Sequence, residues 1–243
     1  MTLRDRVVLV TGGAVRIGRA IALALAERGA HVAITYLSSE AQARRTLDQL
    51  RNLGSDAVAI RADVSQSADV RRLMQRLRAR YRRLDVLVNS AAIFERTPLA
   101  TLTDTQWQRH LQINLTGPFL CALHASKLMK RHGGKIVNIA DWAGERPYLD
   151  YLPYCVSKAG VIALTKGLAK ELAPKIQVIA IAPGPILPPP DMSPTARARA
   201  VKRVPLQRWG EPKDIANTVI FAVEGTDFMT GSTIYVDGGR MVA

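Results

Sequence analysis

Residues 6–36 read RVVLVTGGAVRIGRAIALALAERGAHVAITY, and the reading of this stretch decides the fold. A run of β-branched and aliphatic residues ends at Thr11, Gly12 and Gly13. A helical pattern follows from about Ile17 to Arg28, and a second apolar run closes at Tyr36. Strand, glycine turn, helix and strand make a βαβ unit, whose crossover is right-handed and whose strands are parallel. Gly12 suits a tight turn, and Gly18 lets the helix lie close to the sheet. The unpaired N–H groups of the helix N-terminus are then free to meet a pyrophosphate. A glycine pair alone is weak; inside a full βαβ unit it is a dinucleotide-binding feature.

The same alternation continues along the chain. AVAIRADV, LDVLVNSAA, GKIVNIAD, KIQVIAIAPG and STIYVDGG read as further strands. Helices are expected over SEAQARRTLDQLRNLG, over the basic block at residues 71–83, from about Asp104 to Arg131, from about Tyr151 to Leu172, and over PKDIANTVIFAVEG. The strand runs are apolar at nearly every position, as strands buried on both faces are. No repeat or linker interrupts them. The expectation is an α/β chain, a single Rossmann-type doubly wound parallel sheet of about seven strands with helices on both faces. It is read as one domain over residues 1–243.

Composition excludes several other classes. No 18-residue apolar run is present, so no membrane span is expected, and the N-terminus lacks a signal-peptide layout. Cys121 and Cys155 give neither a disulfide framework nor a metal spacing, and the four histidines form no motif. A reducing cytoplasm fits best, with no metal. The net charge of +14 invites a nucleic-acid reading. Yet in RRLMQRLRARYRR, Leu73, Met74, Leu77 and Tyr81 recur at helical spacing, which marks an amphipathic helix with a solvated basic face. No nucleic-acid motif accompanies it.

In open parallel sheets the ligand lies beyond the carboxyl ends of the strands. The glycine expected between Gly12 and Gly18 is replaced by Arg16, and strand two, in ITYLSSE, has no Asp or Glu at its tip. A carboxylate there would bind a ribose 2′-OH and repel a 2′-phosphate. Its absence, with Arg16 and the hydroxyls of Ser38 and Ser39 near, favours NADP(H) over NAD(H). The alternative is that Arg16 points into solvent. Beyond strand five, Tyr154 and Lys158 stand four apart on one helical face, where an ammonium favours the phenolate of a tyrosine. Asp141 ends the strand; it either relays a proton or only caps a strand end or loop.

Several ordered motifs resemble the short-chain dehydrogenase/reductase family over nearly the whole chain: TGGAVRIG, ADV at 62–64, LVNSAA at 87–92, INL around Asn114, YCVSK, IAPGP, RWGEPKDIA and VDGG. The resemblance implies a nicotinamide-dependent oxidoreductase. Asp63 would lie near the adenine and Asn89 near its ribose. Lys158 would grip the nicotinamide ribose, Asn114 would hold a water linking Lys158 to solvent, and Tyr154 would donate the proton. Ile17, Val64, Ala91, Pro183 and Gly184 would complete the cofactor contacts. Two departures stand out: Asp141 occupies the family's usual serine position, and Arg16 the usual middle glycine. Both resemble the pteridine reductase branch, as does NSAAIFERTPL, whose Phe94 matches an aromatic that stacks on a pterin ring; as a residue type it reads equally as core packing. Ala92 and Ile93 depart from that branch.

The Pro-rich stretch at about 184–210 is expected to be a substrate lid, stiffened by Pro188, Pro189 and Pro190. Arg197, Arg199, Lys202 and Arg203 within it read as a solvated helix face or as contacts to an anionic substrate tail. The resulting expectation is an NADPH-dependent, pteridine-reductase-like enzyme that reduces a C=N or C=O bond of a small molecule. The alternatives are a carbonyl reductase such as a 3-oxoacyl-thioester reductase and a non-catalytic NADP(H)-binding regulator. The family also implies a homotetramer or homodimer.

Overall fold

The computed structural model describes residues 1–188 and 192–243; Pro189 and Pro190, expected to stiffen the lid, lie outside the described residues. Seven strands form one parallel sheet: β1 (Val7–Thr11), β2 (His31–Tyr36), β3 (Val58–Arg61), β4 (Val86–Asn89), β5 (Gly134–Ile139), β6 (Ile176–Pro183) and β7 (Thr233–Val236). Their spatial order is β3-β2-β1-β4-β5-β6-β7. The order reverses between β1 and β4, which opens a crevice at their carboxyl ends.

The helices are α1 (Arg16–Glu27), α2 (Glu40–Asn52), α3 (Ser67–Tyr81), α4 (Asp104–Leu111), α5 (Gly117–Met129), α6 (Leu152–Leu172), α7 (Pro194–Lys202) and α8 (Pro212–Ile220). Alternate strand residues serve opposite layers. Val8, Val10, Val32 and Ile34 pack with Ile21 and Leu25 of α1 and Ile215 and Val219 of α8. Val7, Leu9, Leu87 and Ile136 pack with Leu73 and Leu77 of α3 and with Cys121 and Met129 of α5. Burial on both faces explains why the strand segments show no polar alternation. Of the apolar stripe expected on α3, Leu73, Met74 and Leu77 are buried. Tyr81 is half-buried and donates to Asp56 O at 2.9 Å, while Arg71, Arg72, Arg76, Arg78 and Arg80 are exposed.

One expectation is revised. The single helix from Asp104 to Arg131 is two helices joined by a π-helical turn at Gln112–Thr116, where Asn114 is turned inward and buried. Asn114 binds both backbone groups of Ile93, accepting from its N–H at 2.9 Å and donating to its carbonyl at 3.0 Å. That pull toward the segment after β4 is the local reason for the wider turn. The lid stretch is helical over part of its length. It contains α7, whose start is capped by Ser193 accepting from Ala196 N at 3.2 Å. Arg197, Arg199, Lys202 and Arg203 are exposed around this short helix.

Candidate active site

The glycine turn is built as its chemistry requires. Gly12 has φ 65°, and an added Cβ would lie 2.9 Å from Cα of Ala91. Its N–H is held by Thr35 Oγ1 at 3.1 Å. At Gly18 a Cβ would fall on the carbonyl oxygen of Gly12, so α1 passes the turn in direct contact. The first turn of α1 has no side-chain cap and no acidic residue, so its N–H groups remain available to an anion. Arg16 holds φ 52°, a left-handed conformation that glycine adopts without strain. Its exposed guanidinium makes no ion pair or hydrogen bond among the described residues.

A cleft of about 860 Å³ opens over this turn. It is lined by Gly12, Arg16, Ile17, Gly18, Ser38, Ser39, Asp63, Val64, Ala91, Phe94, Asp141, Tyr154, Lys158, Pro183 and Gly184, all of them expected site residues. The hydroxyl of Ser39 does not cap α2 and is free. One oxygen of Asp63 accepts from Ser65 N at 2.9 Å and from Ser65 Oγ at 2.7 Å.

Asn89 and Asn114 do not line the cleft. Asn89 is buried at the end of β4, where it donates to Asn138 Oδ1 at 2.9 Å and Pro118 O at 3.3 Å. The resemblance put Asn89 near the ribose of the adenosine; its side-chain amide N–H groups are engaged by these two neighbours. Asn114 donates also to Ser157 Oγ at 3.2 Å, so it braces the π-helical turn against α6 and the Ile93 segment.

Tyr154 and Lys158 lie one turn apart on α6 and face the end of β5. Tyr154 Oη donates to Asp141 Oδ2 at 2.7 Å. Asp141 Oδ1 accepts from Ala143 N at 2.8 Å, capping the short 3-10 turn at Trp142–Gly144. One oxygen thus caps the turn while the other meets the Tyr154 hydroxyl. Lys158 Nζ donates to Ile139 O at 2.7 Å and stands 5.7 Å from the centre of the Tyr154 ring.

Burial governs the charges here. It raises the Asp141 carboxyl above its ordinary value, against the opposing pull of Ala143 N–H, Tyr154 and the Lys158 charge. It lowers Lys158 to about 8, the nearby Asp141 opposing. Tyr154 is pushed well above 10 by burial first and by the Asp141 carboxylate second. The expectation that an adjacent ammonium would favour the phenolate is corrected: desolvation and the carboxylate prevail. A phenol so placed stays protonated at neutral pH, the state a proton donor needs.

Phe94 is 45% exposed, so it is cleft wall rather than core. It stacks on Tyr151 at 4.4 Å and meets Tyr154 edge-on at 4.7 Å. Tyr148 and Trp142 extend this aromatic wall, their rings 5.3 Å apart. Tyr148, Tyr151, Trp142 and Arg240 were not singled out in the sequence. Tyr151 carried a signal, standing three before Tyr154 on a helical segment, whereas Arg240 carried none.

A seven-stranded parallel sheet with a glycine turn at its switch point and a Tyr-Lys pair on the helix after β5 defines a nicotinamide-dependent oxidoreductase. A family model described as enoyl-(acyl carrier protein) reductase matches residues 13–240. The chain is 38% identical to a 3-oxoacyl-(acyl-carrier-protein) reductase of Synechocystis, over 99% of this chain and 98% of that protein. It is 37% identical to the enzyme of the same name from Staphylococcus aureus, over 95% and 96%. Among solved structures, a blue fluorescent protein from a metagenomic library, in complex with NADPH, superposes with a TM-score of 0.92 at 34% identity, covering 99% of each chain. The protein belongs to the short-chain dehydrogenase/reductase family.

Proposed function

We propose that this chain is an NADPH-dependent reductase whose preferred substrate carries the C=N bond of a pterin-like ring. The residues fit the cofactor. A glycine cradle leaves no room for a Cβ, an uncapped helix start faces the cleft, and no acidic residue stands at the end of β2. The unpaired Arg16 and the hydroxyls of Ser38 and Ser39 would take the 2′-phosphate, and Asp63 and Val64 would flank the adenine. Lys158 would hold the nicotinamide ribose, with Ala91, Pro183 and Gly184 alongside. The cofactor, when bound, supplies hydride to the substrate. Tyr154 supplies the proton, and Asp141 holds the phenol in place and replenishes it.

The observation that carries the substrate class is the 2.7 Å bond from Tyr154 Oη to Asp141 Oδ2 beside exposed Phe94. Reduction of C=N needs a proton on ring nitrogen. A carboxyl group whose protonated form is favoured by burial can pass one on, whereas a serine hydroxyl mainly orients a carbonyl. The flat face of Phe94 suits an aromatic ring. The relatives favour a second reading, reduction of a 3-oxoacyl thioester, because both named enzymes carry that activity in their names. Turnover of NADPH with dihydrobiopterin and dihydrofolate, set against acetoacetyl thioesters, separates the two. Faster thioester turnover would overturn the pterin reading. Silence toward every carbonyl and pterin offered would instead favour a cofactor-binding regulator. Exposed Phe119 and Leu123 on α5, with Leu152 and Val156 on α6, support a homodimer or homotetramer, readable by light scattering.

Arg16→Gly tests the cofactor. Loss of a charge-assisted phosphate contact should weaken NADPH binding on the order of tenfold or more. NADH binding should change little, by fluorescence titration. Removing the left-handed arginine should also stabilise the fold by about 1 kcal/mol in thermal melts.

A further inference from the structure

The cleft walls carry five cationic residues, Arg16, Arg109, Lys158, Arg203 and Arg240, against two acids, Asp63 and Asp141. Lys158 and Arg16 belong to the cofactor and proton chemistry, and Arg109 is neutralised by Glu95 at 2.5 Å. Arg203 and Arg240 remain, and neither forms an ion pair among the described residues. Arg240 is half-buried, its guanidinium 5.0 Å from the Trp142 ring centre, on the turn that follows Asp141. Its backbone is fixed. Arg146 Nη1 donates to the carbonyls of Arg240 at 3.3 Å, Met241 at 2.9 Å and Ala243 at 2.5 Å. Asp237 holds the same turn through Gly239 N at 3.0 Å and Met241 N at 2.6 Å. The segment bearing Arg203 is tied to it, since Leu206 N donates to Gly238 O at 3.1 Å. Two segments apart in sequence are thus joined, and each adds to the lining of one cleft an arginine that forms no ion pair among the described residues.

We propose that Arg203 and Arg240 form an anion-recognition subsite that selects substrates bearing a carboxylate or phosphate at a distance from the reducible bond. A guanidinium lying over an indole ring, as Arg240 does, keeps donors free for two-point contact with such a group. That contact limits the motion of the Arg240 side chain, so less freedom is lost on binding. The inference rests on the reductase reading only in assigning this half of the cleft to substrate.

The test is calorimetric binding to the full chain saturated with NADP+, which needs no turnover. N-benzoylglutamate is compared with its dimethyl ester, and phenyl phosphate with phenol; the tighter anion identifies the group recognised. At least one anion should bind on the order of tenfold more tightly than its neutral partner. Arg203→Met and Arg240→Met should each shrink that ratio, and the double variant should abolish it. NADPH fluorescence titration reports that each variant retains its fold. Equal binding of anion and neutral partner by the wild type, or a ratio that survives in the double variant, would overturn the subsite. A chain that prefers the anion yet reduces no pterin keeps the subsite and loses the pterin reading.

Discussion

Tyr154→Phe is expected to lower kcat by a factor on the order of 10² to 10⁴, the range of a lost general acid. The substitution removes one oxygen and little else, because the ring keeps its edge-on contact with Phe94 at 4.7 Å. The hydroxyl's partner is Asp141 Oδ2, which loses a donor that helps stabilise its charge. The Asp141 carboxyl should therefore rise further in the variant, and residual activity that depends on its proton should persist to higher pH than in the wild type. Steady-state NADPH oxidation across pH measures both effects. A loss below about threefold would make Asp141 itself the proton donor and remove Tyr154 from that role.

Asp141→Ser should produce the second large change, a loss of pterin turnover on the order of 10²-fold. Thioester reduction should be maintained or improved, since a hydroxyl suffices to orient a carbonyl. If pterin turnover survives the exchange, the proton-relay role of Asp141 is wrong. The pH profile adds a sharper readout. Activity that needs a protonated Asp141 falls as pH rises through its raised value, and a further fall is expected near 8 as Lys158 loses its charge. The serine variant should keep only the later step.

Stability carries the same sign. The folded state holds the Asp141 proton more tightly than the unfolded chain does, so this group's contribution is greatest below its ordinary value of 3.8. It declines as pH rises through the raised folded value. Lys158 acts oppositely: its folded value of about 8 lies below the ordinary 10.5, so its burial costs stability below 8 and that cost fades toward 10.5. Thermal melts should show Asp141→Ser gaining on the wild type as pH rises above 3.8.

Much of this molecule was legible in its sequence because the signals were local. The apolar runs, the helical stripe of Leu73, Met74 and Leu77, and the turn at Gly12 depend on periodicity and on one residue's backbone freedom. The four-residue spacing of Tyr154 and Lys158 was enough to place them on one face of α6. The π-helical turn at Asn114 was not legible. Its cause is a pair of hydrogen bonds to Ile93 across the fold, and no periodicity encodes them.

The sequence by itself thus determined the parallel sheet and the glycine turn, and it singled out Asp141, Tyr154 and Lys158 as candidates. Only the tertiary structure decided how those groups behave. Whether Asp141 holds a proton depends on desolvation, a sum over β5, the Trp142 turn and α6. Tyr154 is pushed up first by its burial and second by the Asp141 carboxylate, both of them set across the fold. Arg240 lines the cleft because Arg146 and Asp237 hold residues 239–243 beside the Trp142 turn. Spacing reports neighbours along the chain, whereas burial and charge are set by neighbours across it.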